Sequence, residues 1–396
     1  MLKTFKVILR MDTARQSDRD FLRGIIRYAN VHGSWEFYFK PFPYLSDDTR
    51  PANQVWFRNL DADGIIMRGL EGIKEIRKEG IPAVVSGIYR EECKGVHSVR
   101  TDSVNIGYIG AEHLLSCGLV HFAYCGFGKI EWSKQRCTSF VKRINEEGFT
   151  VSCFDKSASG KLVSWDKEKR MLINWLCSLP KPAGLMVCND DRGLQVFEAC
   201  KIAGIRIPDD LAVIGVDNDE LICTLTTPSL SSVHLNFEKG GYEAARLLGA
   251  VMKGRAVKQK TILVEPTRVI CRHSTDIVAI DDEDVAAAVR FIRQNSNKSL
   301  CVDDIVSAGS LSRRVLERRF RKFLRRSIAE EIRRVRVELA SRLLIETNMS
   351  VSRIAAILNY PDRYHIARYF ANEKGLSPLE YRKKFSKESY LRETNG

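Results

Sequence analysis

Two stretches of the sequence near its C-terminus combine cationic side chains with apolar residues at helical spacing. The apolar pairs lie four residues apart and are Leu316 with Phe320 and Ile366 with Phe370. The remaining faces carry Arg313, Arg314, Arg318, Arg319, Arg321, Arg363, Tyr364 and Arg368. A helix of this size fits the major groove of DNA, where an arginine pairs with guanine or reaches a phosphate. We therefore expect DNA contacts from these faces; a solvated charged surface is the alternative.

The two helices are the second halves of an internal repeat. Each follows a short amphipathic stretch and a polar turn, at residues 303–312 and 352–360, which is helix-turn-helix spacing. Helices are predicted over residues 285–294, 302–308, 312–324, 329–346, 351–358, 363–372 and 378–385. Residues 285–396 are thus predicted to be all-helical, with helix-turn-helix units at about 302–322 and 351–372. A polar linker is predicted at 274–284.

The first 273 residues alternate apolar strands with helical stretches. Strands are predicted over residues 5–11, 64–67, 83–86, 121–125, 184–188, 211–216 and 261–264. This alternation indicates βαβ units and parallel sheets. Ligands of such sheets meet the carboxyl ends of the strands. The sequence places Asp12, Asp102, Asp190, Asp217 and Asn218 at those ends, although Asp102 is equally explained as a helix cap.

The chain is basic, with a net charge of +14 over 396 residues. Residues 281–396 carry 24 Lys and Arg against 16 Asp and Glu, and this excess indicates a polyanionic partner. No apolar run of about 18 residues predicts a membrane span. The first residues lack the apolar core and the small-residue cleavage site of a signal peptide. We therefore expect a cytoplasmic protein with no membrane partner.

Eleven cysteines and seven histidines raise the question of metal or nucleophile chemistry. No two cysteines form a CxxC pair, and most lie in apolar stretches, as buried thiols in a reducing compartment do. The histidines are scattered singly, without a metal pair at helical spacing or a nucleophile–base pair. We predict no catalytic residue, no metal and no cofactor. An enzyme with a DNA-binding tail is a remote alternative.

Several tail residues form a recognisable pattern. They are Ser312, Leu316 and Phe320, then Ile354-Ala355 with Tyr360, Arg368-Tyr369-Phe370, and Gly375-Leu376-Ser377-Pro378 with Tyr381-Arg382. Through them residues 285–396 resemble the AraC-type DNA-binding domain. The resemblance implies two helix-turn-helix units on one long helix, with base contacts from Arg314, Glu317, Arg318, Arg363, Tyr364 and Arg368. Asn359 stands where the family usually has a turn glycine, but Asn tolerates the left-handed conformation.

Three segments in the first part of the chain also form a known pattern. Residues 184–191 read GLMVCNDD, residues 207–218 read IPDDLAVIGVDN, and residues 228–233 read PSLSSV. Through them residues 1–273 resemble the two-lobed effector domain of LacI-type regulators, which is akin to periplasmic sugar-binding proteins. The resemblance implies a sugar bound in a cleft between two α/β lobes.

The residue types fit that ligand. Carboxylate, amide and guanidinium groups hydrogen-bond to hydroxyls, and an aromatic ring covers the C–H face of a sugar. The predicted ligand contacts are Asp12, Trp132, Arg136, Asp190, Arg192, Asp217 and Asn218. The resemblance supports Arg136, Asp190, Arg192, Asp217 and Asn218 best. A loop cap or a surface ion pair is the alternative for each.

A LacI-like sensor in front of an AraC-like DNA-binding domain implies a regulator, favoured as an activator, of sugar catabolism genes. The implied partners are double-stranded operator DNA, RNA polymerase, a second copy of the chain and a monosaccharide effector. D-xylose is favoured; another sugar or a small polar metabolite is the alternative. We expect the sugar to close the lobes and so to change the spacing of two tails. The basic tail argues against a simple sugar carrier.

Overall fold

The structure is a computed structural model that describes residues 4–39, 61–87, 96–154, 165–277, 282–296, 298 and 300–385. Within these residues the strands are β1 (Phe5–Arg10), β2 (Trp35–Phe39), β3 (Gly64–Arg68), β4 (Ala83–Ser86), β5 (His97–Thr101), β6 (His121–Cys125), β7 (Val151–Phe154), β8 (Ala183–Val187), β9 (Leu211–Asp217), β10 (Ser231–Leu235), β11 (Thr261–Val264) and β12 (Pro266–Ile270). The helices are α1 (Gln16–His32), α2 (Ile73–Lys78), α3 (Ser103–Ser116), α4 (Glu131–Glu146), α5 (Trp165–Ser178), α6 (Asp190–Ala203), α7 (Glu220–Leu225), α8 (Phe237–Met252), α9 (Glu283–Gln294), α10 (Val302–Ser307), α11 (Arg313–Leu324), α12 (Ile328–Glu346), α13 (Val351–Ile357), α14 (Arg363–Lys374) and α15 (Pro378–Phe385).

The strands form two six-stranded sheets, each at the centre of one lobe. The first sheet has the order β11-β5-β4-β3-β1-β2 and is entirely parallel. The second has the order β12-β10-β9-β8-β6-β7, and β12 alone pairs antiparallel, with β10. All five residues of β8 are buried, as expected for a strand covered by helices on both faces. The predicted two-lobed α/β sensor is confirmed.

The chain passes from one lobe to the other at three points of its described part, after β5, after β10 and between β11 and β12. Helix α3 therefore packs in the second lobe, against α4, whereas α8 packs in the first lobe, against α1. Helices α1 and α8 pack so closely that a Cβ atom at Gly24 would collide with the carbonyl of Glu238, and only glycine fits at this position.

The tail is all-helical in its described residues, and every helix predicted from the sequence is present with its ends within about two residues. One apolar core lies among α9, α10, α11 and the first half of α12. A second lies among the other half of α12, α13, α14 and α15. The two helix-turn-helix units therefore share one long helix. Asn359 in the second turn has a φ of 53°, so the predicted left-handed conformation is confirmed.

The segment between the lobes and the tail is partly buried at its start. Ser274 Oγ donates a hydrogen bond of 2.6 Å to the Val213 carbonyl, and the Thr275 hydroxyl lies 2.8 Å from that of Ser231. Residues 278–281 of the predicted linker lie outside the described residues. Asp282 then caps α9, since its side chain accepts a hydrogen bond from the backbone N–H of Val285. The linker at 274–284 remains a prediction.

Candidate ligand cleft and nucleic-acid interface

Arg136 lies between the two lobes. Its Nη2 atom is 3.4 Å from the Thr101 hydroxyl, at the end of β5, and 3.9 Å from Oδ1 of Asp217, at the end of β9. Its guanidinium also donates to the Cys188 carbonyl, and only 3% of the side chain is exposed. Its Nε atom is buried and has no hydrogen-bond partner in the described part of the chain. A buried, unused donor in a polar cleft is typical of a ligand site.

Helix α4 presents Trp132 one turn before Arg136. The Trp132 ring centroid lies 4.6 Å from the guanidinium carbon, a cation–π contact. Helix α4 lies so close to α3 that a Cβ atom at Gly107 would collide with the Arg136 carbonyl. The structure thus brings together a flat aromatic face and a guanidinium, two groups that the sequence analysis predicted as ligand contacts.

Asp217 ends β9 with a φ of 100°, a conformation that a residue other than glycine rarely adopts. Burial raises the pKa of its carboxyl to about 6, with Arg136 lowering that pKa and Asp191 raising it. A quarter of the side chain is nevertheless accessible (25%), through the cleft. A strained backbone and a perturbed pKa in a cleft together mark a candidate binding residue.

The first lobe faces Asp217 with charged residues that the sequence analysis missed. Arg15 and Arg68 both lower the pKa of the Asp217 carboxyl. Asp18 forms an ion pair with Arg68. Burial raises the pKa of Asp18, and Arg68 offsets part of that rise. Its Oδ2 atom is buried without a partner among the described residues. One lobe thus offers an unused acceptor and the other an unused donor.

Three contacts hold the lobes together across this cleft. The backbone N–H of Gln16 donates to Oδ2 of Asp219 at 3.0 Å, and Oε1 of Gln16 accepts from the backbone N–H of Glu220 at 2.8 Å. Arg15 and Asp191 form an ion pair of 3.0 Å. Residues at the start of α1 therefore touch the segments that follow β8 and β9. Asp12, also predicted, is exposed nearby and accepts from the backbone N–H of Ala14 at 2.9 Å.

Two other predicted ligand residues have partners inside the second lobe. Asp190 is buried and accepts from the Ser232 hydroxyl at 2.7 Å and from the backbone N–H of Asp219 at 2.8 Å. Asn218 accepts at Oδ1 from Arg272 at 2.8 Å. Burial, together with Asp217, raises the pKa of Asp190 well above its ordinary value. These contacts position the segment after β9; direct ligand contacts of the two residues remain predictions.

Arg192 is also enclosed by the second lobe. Only 1% of its side chain is exposed, and its guanidinium forms a 2.9 Å ion pair with Glu168. The guanidinium carbon lies 5.1 Å from the ring centroid of Phe127 and 5.5 Å from that of Phe154. These contacts hold the base of α6 against α5 and β7. A direct contact between Arg192 and a ligand remains a prediction.

Asp102 caps α3, which agrees with its interpretation as a helix cap, because its side chain accepts a hydrogen bond from the backbone N–H of Asn105.

The tail presents two exposed basic helix faces. In α11 and α14 the apolar residues Leu316, Phe320, Ile366 and Phe370 are buried. The exposed residues on the opposite faces are Arg313, Arg314, Arg318, Arg363, Tyr364 and Arg368. Glu317 is half-buried, and its Oε2 atom has no hydrogen-bond partner in the described part of the chain. The predicted amphipathic pattern is therefore confirmed for both second helices, and their DNA contacts remain predictions.

Several tail arginines have acidic partners within the tail, including the exposed Arg313, which pairs with Asp303 at 3.0 Å. Arg319 forms ion pairs of 2.9 Å with Asp282 and 3.3 Å with Asp284, next to the start of α9. Arg326 and Arg334 both pair with the buried carboxylate of Glu331, at 2.7 and 2.9 Å. These cations stabilise the helical packing. The arginines of α11 and α14 that face solvent are therefore fewer than the total positive charge of the tail suggests.

Two protein-family models match separate parts of the chain. A periplasmic binding protein-like domain matches residues 111–275, and a helix-turn-helix domain matches residues 306–384. The chain joins a periplasmic binding protein-like sensor to a helix-turn-helix DNA-binding domain. The predicted pairing of the two is confirmed.

Several known proteins resemble the chain over nearly its whole length. The xylose operon regulatory protein of Haemophilus influenzae is 29% identical, and the match covers 96% of this chain and 98% of that protein. The protein of the same name from Escherichia coli is also 29% identical, over 96% and 97%. A solved structure of a xylose-binding transcription activator is 27% identical, covers 97% of this chain and 99% of its own, and superposes with a TM-score of 0.60.

The DNA-binding domain is docked on the sensor at the far end of α3. Tyr381 Oη donates to the Thr267 carbonyl at 3.1 Å, and Arg326 donates to the Ser116 carbonyl at 3.5 Å. His113 is half-buried at this interface, where burial lowers the pKa of its imidazole to about 4, with further lowering by Arg293 and Arg334. Helix α3 starts next to Thr101, which contacts Arg136 in the cleft, and it ends at the interface with the DNA-binding domain. One helix therefore connects the cleft to that interface.

No helix in the described residues is long and apolar enough to cross a membrane. The same residues contain no group of three or more His, Cys, Asp and Glu side chains arranged to hold a metal ion.

Proposed function

We propose that this chain is a transcription regulator whose binding to operator DNA is controlled by a monosaccharide in the cleft of the sensor. The observation that carries the proposal is the position of Arg136, buried in the cleft with an unused donor and linked through α3 to the docked DNA-binding domain. The cytoplasm, where operator DNA lies, is the compartment that this function requires.

The chemistry of the cleft supports a polyhydroxylated ligand. A hydroxyl group both donates and accepts hydrogen bonds, so it can use Arg136 as a donor and Asp18 or Asp217 as an acceptor. The Trp132 ring supplies an apolar face for the C–H groups of a sugar ring. D-xylose is the favoured ligand because the relatives that match the full length are named for xylose. Asp12, Asp190, Arg192 and Asn218 are proposed as further contacts or as supports of these residues.

Closure of the lobes is the proposed control step. A ligand shifts a two-state equilibrium only by its differential affinity for the two states. A sugar that bonds to residues of both lobes favours the state in which Gln16 meets Asp219 and Arg15 meets Asp191. Movement of α3 relative to the first lobe is then carried to the docked DNA-binding domain. In a homodimer this movement changes how two such domains are spaced on DNA, and RNA polymerase is the proposed recipient of the signal.

Calorimetric titration of the full chain with D-xylose, D-ribose, L-arabinose and D-glucose tests the ligand. We expect saturable binding, tightest for D-xylose. Arg136→Lys keeps the charge but loses the planar fork, and it should weaken binding by about tenfold or more. Arg206→Lys, at an exposed ion pair with Asp210, is the matched control and should bind normally. Heat from none of the sugars, with a folded protein, would refute a monosaccharide effector.

The DNA-binding role has a separate test. Duplexes selected by the protein from a random pool should bind more tightly or with a different bend when the preferred sugar is present. Binding to unselected duplex DNA should weaken steeply with salt because phosphate contacts release counterions. Identical affinity and bending with and without every sugar would leave a DNA-binding protein without sugar control. Sedimentation of the protein–DNA complex tests the homodimer.

A further inference from the structure

Two cysteines of the sensor lie within reach of each other. The Sγ atoms of Cys137, on α4, and Cys153, on β7, are 3.7 Å apart. A disulfide bond has an S–S distance of about 2.0 Å, so the sulfur atoms need to approach by only about 1.7 Å. Cys153 is exposed and Cys137 is half-buried, so a small oxidant reaches the pair from solvent. We propose that Cys137 and Cys153 form a reversible regulatory disulfide in response to hydroperoxides.

The other described thiols of the second lobe are mostly enclosed. Burial raises the pKa of each of the following thiols: Cys117, Cys125, Cys188, Cys200 and Cys223. Buried thiols with raised pKa values are poor nucleophiles. Cys177 is exposed, on α5, and provides a comparison without the Cys137–Cys153 geometry. The pair therefore combines access to solvent with a second sulfur at close range.

The strand geometry explains why Cys153 meets α4. Successive residues of a strand point to opposite faces of the sheet. Ser152 accepts a hydrogen bond of 3.0 Å from the Trp175 indole on α5, so the next residue points to the other face, where α4 lies. Strand β7 is at the edge of its sheet, which leaves this face accessible from the side.

The chemistry requires one hydroperoxide for each disulfide. The Cys153 thiolate attacks the peroxide oxygen, the O–O bond breaks, and a sulfenic acid forms while an alcohol or water leaves. The Cys137 sulfur then attacks the sulfenic sulfur, the S–O bond breaks, and water leaves as the S–S bond forms. Two thiols and one peroxide thus give one disulfide, one alcohol or water, and one further water. A dithiol reductant returns both thiols by exchange.

The positions of the two cysteines couple this step to the cleft. Cys137 directly follows Arg136, and Cys153 directly precedes Phe154, whose ring lies 5.5 Å from the Arg192 guanidinium. A shift of α4 toward β7 moves Arg136 away from the Cys188 carbonyl and from Asp217. This consequence rests on the proposed function. The loss of one charge-assisted hydrogen bond weakens sugar affinity by about tenfold.

Peptide mapping tests the disulfide without any ligand. The full chain is treated with a small excess of hydrogen peroxide, remaining thiols are alkylated, and the unreduced digest is analysed by mass spectrometry. We expect a cross-linked peptide containing Cys137 and Cys153 that disappears on reduction. It should be absent from Cys153→Ser and retained in Cys177→Ser. Overoxidation of Cys153, or its linkage to any other cysteine, in place of this peptide would overturn the proposal.

Calorimetry with D-xylose tests the regulatory consequence. Oxidised wild-type protein should bind about tenfold more weakly than reduced protein, and oxidised Cys153→Ser should bind like the reduced form. Equal affinities of the oxidised and reduced forms, with the cross-link present, would refute regulation. A protein that binds no sugar in either form contradicts the proposed function instead, and the peptide map still decides whether the disulfide forms.

Discussion

The backbone N–H of Gln16 donates a 3.0 Å hydrogen bond to Oδ2 of Asp219, a residue 203 positions later in the chain. The side chain of Gln16 also accepts from the backbone N–H of Glu220. Both bonds join the start of α1 in the first lobe to the segment after β9 in the second. They exist only when the lobes approach each other, so they contribute free energy to closure and not to either lobe alone.

Gln16→Ala tests this contribution. The substitution removes the acceptor for the Glu220 N–H but leaves the backbone bond to Asp219. We expect sugar affinity to fall by about threefold to tenfold, the effect of one hydrogen bond, with little change in thermal stability. Gln135→Ala, at an exposed i,i+4 contact with Glu131, is the matched control. Unchanged affinity in Gln16→Ala would show that closure does not use this contact.

Asp217→Asn tests the buried carboxyl. Its pKa is raised to about 6, so the folded protein holds this proton more tightly than the unfolded chain does. The sign follows: wild-type protein gains stability as the pH falls from about 7 toward about 4, by at most about 3 kcal/mol, and loses that gain as the pH rises through about 6. The variant lacks the titrating group. Urea unfolding at several pH values should show the free energy of unfolding of the wild type rising relative to that of the variant as the pH falls. Parallel curves would contradict the raised pKa.

Arg314→Ala should weaken DNA binding more than Arg363→Ala. The first helix-turn-helix unit carries more cationic residues, and the second has Arg363 engaged with the Tyr364 hydroxyl at 2.9 Å. We expect a loss of about tenfold or more for Arg314→Ala, as for a base-reading arginine, and a smaller loss for Arg363→Ala. Fluorescence anisotropy at one fixed salt concentration measures both. Arg290→Ala, exposed on α9, is the control. The reverse order would overturn this ranking.

Tyr381→Phe tests the interface between the DNA-binding domain and the sensor. It removes the hydrogen bond to the Thr267 carbonyl and keeps the ring, which packs on Phe370 with centroids 5.1 Å apart. A single neutral hydrogen bond is worth about 1 kcal/mol, so the domains should remain folded. We expect normal sugar affinity and near-normal DNA affinity without sugar, but a smaller effect of sugar on DNA binding. If sugar controls DNA binding in the variant as in the wild type, the signal does not pass through this contact.

The helices of the tail could be predicted closely because their apolar residues recur with the helical period and their caps are local in sequence. The strands β2, β5, β7, β10 and β12 were missed, and in β5, β10 and β12 polar residues interrupt the apolar pattern. Ser231 and Ser232 are fully buried in β10, where they bond to Thr275 and Asp190. A buried serine with a distant partner has no periodic signature in the sequence. Strand alternation nevertheless predicted the parallel sheets, and the resemblance to LacI-type effector domains implied the two lobes.

The cleft could be predicted only in part. Trp132, Arg136 and Asp217 follow strands or share a helical face, and the structure brings them together. Asp18 and Arg15 belong to the first turn of α1 and the residue before it, where the same residue types are common as caps. The partner of Asn218 is Arg272, 54 residues later, and no local pattern predicts such a pairing. Proximity across two lobes is a property of the folded chain.

Helix α12 belongs to both cores of the DNA-binding domain, so it fixes the phase between the two recognition helices. An inserted or deleted residue in its middle would rotate one unit against the other by about 100° and shift it by about 1.5 Å along the axis. Small changes of length therefore do not adjust the reach of the protein along DNA gradually. If both units bind DNA as proposed, the spacing between the two sites they contact in an operator is set by the length of α12.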